Sequence, residues 1–202
     1  MSIYALKPRF QALLRPMVRS LHRAGITANQ VTVVACAISV ALGLALTLLP
    51  LPPSAWLALP LWLFVRMAFN AIDGMLAREH GQASPLGAFL NELTDVISDA
   101  ALYLPFIALA PFSPFWVGAV IVAAAWSELA GVLGQTVGAS RRYDGPMGKS
   151  DRAFVFGALG LYVGCGGPLS PAFGYLMPMV ALLTVWTLVR RVRSALAEVH
   201  AT

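Results

Sequence analysis

Carboxylate and amide side chains are concentrated in two short stretches of an otherwise apolar sequence. The first stretch contains Asn70 and Asp73, and the second contains Asn91, Asp95 and Asp99. Residues three or four positions apart share one face of an α-helix, so each stretch predicts a polar stripe on a helix. Carboxylate and amide oxygens are the ligands that Mg²⁺, Mn²⁺ and Ca²⁺ prefer in proteins. If the two stripes face each other, they form a site for a divalent cation.

The composition indicates that these stripes lie in a membrane protein. The chain has 202 residues, of which 58% are hydrophobic and 11% are charged, and its mean hydropathy is +0.74. Soluble domains carry about 25% charged residues, and a single small core could not bury this much apolar surface. Cys36 and Cys165 stand alone in apolar sequence, which gives no support for a disulfide framework or a cysteine metal site. An all-α integral membrane fold is therefore expected.

Six apolar stretches approach the roughly 20 residues that a membrane-spanning helix needs. Short breaks rich in Pro and Ser separate several of them and predict tight connections on one side of the membrane. The second and third stretches carry the two polar stripes, so a short loop joins the two helices as antiparallel neighbours. The six predicted spans are Ile26–Leu49, Ser54–Ala77, Leu86–Ala110, Phe115–Ala139, Lys149–Gly164 and Ala172–Val189.

The distribution of basic residues predicts the orientation. Under the positive-inside rule they mark the cytoplasmic face, which places both termini there and requires an even number of spans. The same distribution explains the net charge of +5 without nucleic-acid binding. The polar stripes then lie at the cytoplasmic end of a multi-pass protein of the inner (plasma) membrane. The basic residues concerned are Lys7, Arg9, Arg15, Arg19, Arg23, Arg78, Arg141, Arg142, Lys149, Arg152, Arg190, Arg191 and Arg193.

The segment before the first span is amphipathic. Apolar residues recur at helical spacing among basic residues, which predicts a helix at the membrane interface with its cations near lipid phosphates. Pro8 and Pro16 are expected to break or bend this helix. The resulting organisation is a cytoplasmic interfacial segment at 1–24, a six-helix membrane domain at 25–194 and a cytoplasmic tail at 195–202.

The spacing of the polar residues resembles a known signature. The segment Asn70–Arg78 is followed, after eight residues, by the segment Gly87–Asp95. This resembles D-x-x-D-G-x-x-A-R-x8-G-x-x-x-D-x-x-x-D of the CDP-alcohol phosphotransferase family, with six of the eight signature positions matched. Leu6-Lys7-Pro8, the run Arg66–Glu79 and the run Gly148–Arg152 extend the resemblance to the YnbA-like bacterial subgroup over nearly the whole chain.

The resemblance implies six membrane helices, a homodimer and a polar cavity open to the cytoplasm. Family members attack the β-phosphorus of a CDP-alcohol with an acceptor hydroxyl and release CMP; here the implied donor is a CDP-diacylglycerol-like lipid. Asp73 would be a metal ligand, and Asp95 would be a metal ligand and the general base. Asp73 together with Gly74, Ala77, Arg78 and Gly87 would line the nucleotide site. The acceptor alcohol cannot be deduced from the sequence.

Two signature aspartates are replaced by Asn70 and Asn91. An amide still offers an oxygen to a metal, but it carries no charge, so metal affinity should be lower. Whether the site holds one or two Mg²⁺ or Mn²⁺ ions remains open. It also remains open whether the chain is an inactive relative that binds nucleotide or lipid and acts as a membrane scaffold. A small transporter would predict internal repeats with paired broken helices, and no convincing repeat is found.

Three polar residues outside the signature are candidate acceptor-binding groups. Glu128 lies within the fourth predicted span, and Lys149 and Arg152 open the fifth. The two cations could hold a phosphate or headgroup on the acceptor, or they could serve only to anchor the cytoplasmic face. Glu128 could bind the acceptor, or it could be a protonated side chain hydrogen-bonded between helices.

Helix depth predicts an ion pair next to the site. Arg66 precedes Asp73 by seven residues and should lie roughly 10 Å deeper in the membrane. Asp99 follows Asp95 by four residues on the antiparallel helix and should lie roughly 6 Å deeper than Asp95. Arg66 and Asp99 therefore reach similar heights on facing stripes and are expected to pair. The competing assignment makes Asp99 a replacement metal ligand.

Overall fold

The structure, a computed structural model, describes residues 3–201 and is built from helices, with no β-strand in that range. Short 3-10 turns precede or follow several of the helices. The seven α-helices are α1 (Ile3–Arg23), α2 (Ala28–Leu48), α3 (Ala58–Glu79), α4 (Pro85–Tyr103), α5 (Pro114–Leu133), α6 (Lys149–Gly164) and α7 (Leu176–Ala201).

Four helical segments are long and apolar enough to cross a membrane, judged by length and composition. They are Ala28–Leu48, Pro53–Glu79, Pro114–Val137 and Pro171–Ala201. Of the six predicted spans, the two that fall outside this group are α4 and α6. The first carries three acidic side chains within 19 residues, and the second has only 16 residues. α4 thus falls outside the group because of its charged side chains, and α6 because of its length.

α1 is one continuous helix, so the predicted interruption at Pro8 and Pro16 is wrong. Its buried side chains, Leu14 and Val18, lie on either side of Pro16 and join an apolar cluster with α3. This packing stabilises both turns that flank the proline. α1 thus rests against the C-terminal half of α3, where Ile72, Met75 and Leu76 join the same cluster.

The bundle places α2 against both α3 and α4, α5 against α7, and α6 against α3. The contact between α2 and α4 is close because Gly43 has no side chain: a Cβ built there would lie 2.0 Å from the carbonyl oxygen of Ala101. On the far side of the polar stripes, Tyr103 stacks on Phe156 with ring centroids 3.9 Å apart, and Phe106 packs edge-on against Phe156. A rigid aromatic core therefore closes the bundle above the site.

The outer surface carries large apolar side chains that a water-soluble protein would bury. Phe64 on α3, Trp126 on α5 and Leu182 on α7 are 62%, 59% and 66% exposed. Charged side chains are instead drawn into the bundle, where Arg66, Arg152 and Arg191 are buried. This inside-out distribution fits a lipid environment around an internal polar site.

Candidate active site

A cavity of about 330 Å³ opens between the N-terminal end of α2, the C-terminal end of α3 and the N-terminal end of α4. It contains all the signature residues on α3 and α4 except Asn70 and Asp95, which are not among its lining residues, together with the first turn of α2. The lining residues are Ala28, Asn29, Thr32, Asp73, Gly74, Ala77, Arg78, Gln82, Ala83, Ser84, Gly87, Ala88, Asn91, Glu92 and Arg141.

The N-terminal turns of two helices meet at this cavity. Thr27 caps α2 in a capping box with Gln30, and Ser84 caps α4 by accepting a hydrogen bond from the Gly87 amide. The Gln82 side chain accepts a hydrogen bond of 2.7 Å from the Ala28 amide, which ties the α3–α4 loop to the start of α2. Helix N-termini attract anions through their free amide groups and dipoles. The cavity is therefore suited to a phosphate-bearing ligand.

Asp73 is buried at the inner wall of this cavity. The Thr32 hydroxyl on α2 donates a 2.8 Å hydrogen bond to its Oδ2 atom. The charges of Asp95 and Lys149 also act on the Asp73 carboxylate. In the sequence, Thr27, Asn29 and Thr32 resemble an ordinary helix cap, and only the structure brings the Thr32 hydroxyl to Asp73. The sequence signal for this contact is a hydroxyl residue one turn into α2, the helix that packs against the signature residues of α3.

Gly74 and Gly87 allow close approaches at the cavity wall. A Cβ at Gly74 would lie 2.9 Å from the guanidinium of Arg78, and a Cβ at Gly87 would lie 2.9 Å from Oδ1 of Asn29. The first glycine lets Arg78 fold across its own helix, and the second lets the starts of α2 and α4 come together. Both keep backbone open to a flat ligand.

Asp95 is held by two cations. Arg66 Nη2 lies 2.9 Å from its Oδ1, and Lys149 Nζ pairs with its Oδ2. The three side chains come from α4, α3 and α6, so the carboxylate is oriented by tertiary contacts. Lys149 is the more accessible of the two cations, with a side chain 29% exposed against 5% for Arg66.

The structure contains the Arg66–Asp99 pair. Arg66 Nη1 lies 2.6 Å from Asp99 Oδ1, and both side chains are almost completely buried. The Tyr103 hydroxyl donates to the other oxygen of Asp99 at 3.3 Å, and Arg152 lies 3.6 Å from that oxygen. Asp99 therefore belongs to a hydrogen-bonded ion-pair network one turn above Asp95.

The same network extends through Glu128 to α7. Arg152 Nη2 lies 2.9 Å from Glu128 Oε1, and Arg191 Nη1 lies 3.2 Å from Glu128 Oε2. Arg191 also donates to the carbonyl oxygen of Ser127 at 2.6 Å. In the sequence, the positive-inside rule explains Arg191 as a cytoplasmic anchor. Only the packing of α5 against α7 shows that its side chain is buried.

Arg141 reaches the cavity from the loop between α5 and α6. Its Nη2 donates to Glu92 Oε2 at 2.8 Å, and its Nη1 pairs with Glu92 Oε1. In the sequence Arg141 serves only as an orientation signal, so its place in the site was missed. No local pattern could have found it, because 49 residues separate the partners.

The α5–α6 loop that carries Arg141 is clasped to the end of α7. Arg142 donates to Asp144 at 2.8 Å and to Glu198 on α7. The hydrogen bonds from Arg142 lower the pKa of Asp144 from its ordinary value. These contacts join the α5–α6 loop to α7 outside the cavity.

The signature residues supply oxygen donors that suit a divalent ion. Within residues 3–201, no three His, Cys, Asp or Glu side chains are grouped as metal ligands. Asp73 and Asp95 are the two signature carboxylates, and both oxygens of Asp95 already face cations. The amides of Asn70 and Asn91 add oxygen donors without charge. Two carboxylates and two amides can hold a single Mg²⁺ or Mn²⁺ ion.

The fold and the cavity define a CDP-alcohol phosphatidyltransferase, and the chain belongs to that family, whose model matches residues 25–190. Over 97% of its length and 97% of the relative's, the chain is 45% identical to inner membrane protein YnbA of Escherichia coli K12. It is 34% identical to the phosphatidylinositol phosphate synthase of Corynebacterium glutamicum, but that match spans 51% of the chain and 45% of the relative.

A crystal structure shares the fold. The phosphatidylinositol phosphate synthase of Mycobacterium tuberculosis with CDP-DAG bound superposes with a TM-score of 0.73 and 26% identity. The match covers 89% of this chain and 92% of that one. The same enzyme has been solved in complex with manganese and citrate. The chain is thus an enzyme of phospholipid biosynthesis, and its apolar helices and inner-membrane relative make it a multi-pass membrane protein.

Proposed function

We propose that this enzyme transfers the phosphatidyl group of CDP-diacylglycerol to the hydroxyl of an alcohol and releases CMP. The observation that carries the proposal is the cavity itself, in which two helix N-termini and Arg78 surround Asp73. The cytidine diphosphate end of the donor fits there because glycine at positions 74 and 87 leaves backbone open to a flat base. Arg78 offers a bidentate grip on phosphate.

In the proposed reaction Asp95 is the general base. The acceptor oxygen forms a bond to the β-phosphorus of the donor, and the bond from this phosphorus to the CMP oxygen breaks. The hydroxyl proton passes to Asp95, and CMP leaves with the bonding electron pair. Lys149, the more exposed cation on Asp95, is the partner that the acceptor displaces. Asp73 and Asp95, with Asn70 and Asn91 as neutral donors, would hold a divalent cation, which would supply electrostatic stabilisation of the phosphate charge.

We place this site at the cytoplasmic face of a six-span bundle. α4 and α6 then cross the membrane with exposed apolar side chains such as Phe89 and Phe154 toward lipid. Their charged groups face the network between α3, α5 and α7. Both termini are cytoplasmic under the positive-inside rule. The donor lipid keeps its acyl chains in the bilayer while its nucleotide enters the cavity. A homodimer is the assembly that the family resemblance supports.

The direct test supplies purified protein in lipid nanodiscs with CDP-diacylglycerol, Mg²⁺ or Mn²⁺ and a panel of alcohols. We expect CMP and a new phospholipid in equal amounts, detected by mass spectrometry. The Asp73→Asn variant in the same nanodiscs should form neither product. Binding of CDP-diacylglycerol without CMP release from any alcohol would instead support an inactive membrane scaffold.

The two asparagines make a separate prediction about the metal. Restoring aspartate in the double variant Asn70→Asp/Asn91→Asp should raise Mn²⁺ affinity by about tenfold or more, because each change adds an anionic ligand near the cation. Turnover need not rise, since the wild-type site is tuned to lower charge. Electron paramagnetic resonance titration of free Mn²⁺ measures the affinity.

Gln135→Glu, which adds a charge outside the cavity, is the matched control and should leave Mn²⁺ affinity unchanged. Equal affinity in the double variant and the wild type would show that positions 70 and 91 do not contact the ion. If the wild type has no transferase activity and the double variant gains it, the result would favour the alternative that the natural protein is an inactive membrane scaffold.

A further inference from the structure

A second cavity lies where the C-terminal end of α1 meets the C-terminal end of α3, outside the candidate active site. Its volume is about 470 Å³, which falls in the range of roughly 300–1,000 Å³ that small-molecule pockets occupy. The residues that line it are all different from those that line the active-site cavity. They are Pro16, Arg19, His22, Arg23 and His80.

The wall of this second cavity is formed by arginine and histidine side chains, with no carboxylate among the described residues that line it. Arg19, His22 and Arg23 are three and four positions apart on α1 and therefore share one face of the helix. His80 follows the last residue of α3 and lines the same cavity. This lining suits an anion.

The two arginines of the second cavity have no ion-pair partner among the side chains that the structure describes. Glu79, the acid next to His80, is already paired with Arg15 at 3.0 Å. Arg23 Nε donates to the carbonyl oxygen of Arg19 at 3.4 Å, as basic side chains do in the last turn of a helix. That contact leaves the Nη atoms of Arg23 and the guanidinium of Arg19 for a ligand, and a guanidinium binds phosphate in a bidentate manner.

The histidines add a further donor to the cavity. His22 and His80 stack with their ring centroids 4.1 Å apart. Gln82 Oε1 accepts from the Ala28 amide, so Gln82 Nε2 is the donor in its 3.5 Å contact with His22 Nδ1. Nδ1 is then the acceptor, and the neutral His22 ring carries its hydrogen on Nε2. That N–H group is a donor for an anion.

The surroundings of the second cavity favour a lipid as the source of the anion. Leu13 and Met17 on α1 are 75% and 46% exposed, and Met17 is next to Pro16 of the cavity wall. Because Leu14 and Val18 pack against α3, a different set of apolar side chains on α1 is left to contact acyl chains. A helix with apolar side chains in the acyl region holds its cations near lipid phosphates.

We infer that the second cavity binds the phosphate of an anionic membrane lipid, at a site separate from the one proposed for the CDP-lipid donor. Arg19 and Arg23 bind the phosphate oxygens, and the two histidines form the wall beside them. This site does not depend on the proposed transferase reaction. Gln82 lines the active-site cavity and contacts His22, so the bound lipid lies one side chain away from the active site.

The test measures lipid binding to the full chain in micelles of an uncharged detergent. Native mass spectrometry gives the affinities for dioctanoyl phosphatidic acid and for dioctanoyl phosphatidylcholine. We expect phosphatidic acid to bind at least about tenfold more tightly, because the choline ammonium would face two arginines that lack a counter-ion. Equal affinities for the two lipids would overturn the inference.

Paired variants locate the site. Arg19→Gln/Arg23→Gln should bind phosphatidic acid at least about tenfold more weakly than the wild type. The control Arg190→Gln/Arg193→Gln removes two exposed arginines of α7 outside the cavity and should bind within about twofold of the wild type, because salt screens distant charges. An equal loss in both variants would reveal a general attraction to positive charge and contradict the site, as would unchanged binding in folded Arg19→Gln/Arg23→Gln.

Two further ligands distinguish the second cavity from its alternatives. CDP-diacylglycerol should bind equally well to the wild type and to Arg19→Gln/Arg23→Gln, since neither arginine lines the active-site cavity. A parallel loss of its binding would assign the arginines to the donor site instead. Inorganic phosphate at the same concentration should leave phosphatidic acid bound, because it lacks acyl chains to contact Leu13 and Met17. Displacement of the lipid would assign the cavity to a soluble phosphate and overturn the lipid site.

Discussion

Replacing Asp95 with Asn should lower the rate of CMP release by about 10² to 10⁴-fold, the range that general bases contribute. The substitution keeps the side-chain size but removes the group that accepts the acceptor proton. It also removes one of the two carboxylates proposed for the metal. The measurement is CMP formation by the purified variant with CDP-diacylglycerol and saturating Mn²⁺. Saturating metal separates the loss of the base from weaker metal binding.

The matched control for Asp95 is Asp144→Asn. Asp144 lies in the α5–α6 loop and its carboxylate pairs with Arg142, outside the cavity. This variant should release CMP at close to the wild-type rate. Full activity in Asp95→Asn would remove Asp95 as the base. A loss of activity that Mn²⁺ fully restores would assign Asp95 to metal binding alone.

Replacing Arg66 with Met should destabilise the protein by about 3–5 kcal/mol, the usual cost of stranding a buried charge. Arg66 is 4% exposed and contacts both Asp95 and Asp99. Its removal leaves Asp99 buried with Arg152 3.6 Å away as its remaining cation. The measurement is the free energy of unfolding in mixed micelles, from a denaturant titration of helix content.

The control for Arg66 is Arg15→Met. Arg15 pairs with Glu79 at 3.0 Å, but both side chains are more than a third exposed. An exposed ion pair contributes about 0–1 kcal/mol, so this variant should lose little stability. Combining Arg66→Met with Asp99→Asn should cost less than the sum of the two single changes, because the unpaired charge is removed. Additive costs would contradict the pairing.

Much of the candidate site could be predicted from the sequence because its residues are local. Asp73, Gly74, Ala77 and Arg78 lie within one and a half turns of α3, and the spacing to Gly87 spans only a short loop. The 3.6-residue period of a helix then places the side chains on one face without knowledge of the rest of the chain. The same periodicity and depth argument predicted the pairing of Arg66 with Asp99, which the structure contains.

The sequence by itself also determined the helical class and the membrane environment. The lengths of the apolar segments and the positions of the basic residues beside them can be read directly along the chain. They therefore need no tertiary information. The continuity of α1 through Pro16 did not follow, because a local rule for proline competes with burial of Leu14 and Val18 against a helix more than 50 residues away. Tertiary packing outweighed local propensity there.

Only the tertiary structure decided which charges neutralise each other. Glu92 meets Arg141 across 49 residues, and Glu128 meets Arg191 across more than 60. In the sequence these arginines look like any other cytoplasmic anchors, because the positive-inside rule counts charges and does not say which side chain turns inward. Burial made the difference, since a charge inside the bundle must find a partner whereas a charge at the interface is solvated. The packing of α5, α6 and α7 therefore had to be known before the partners of these arginines could be named.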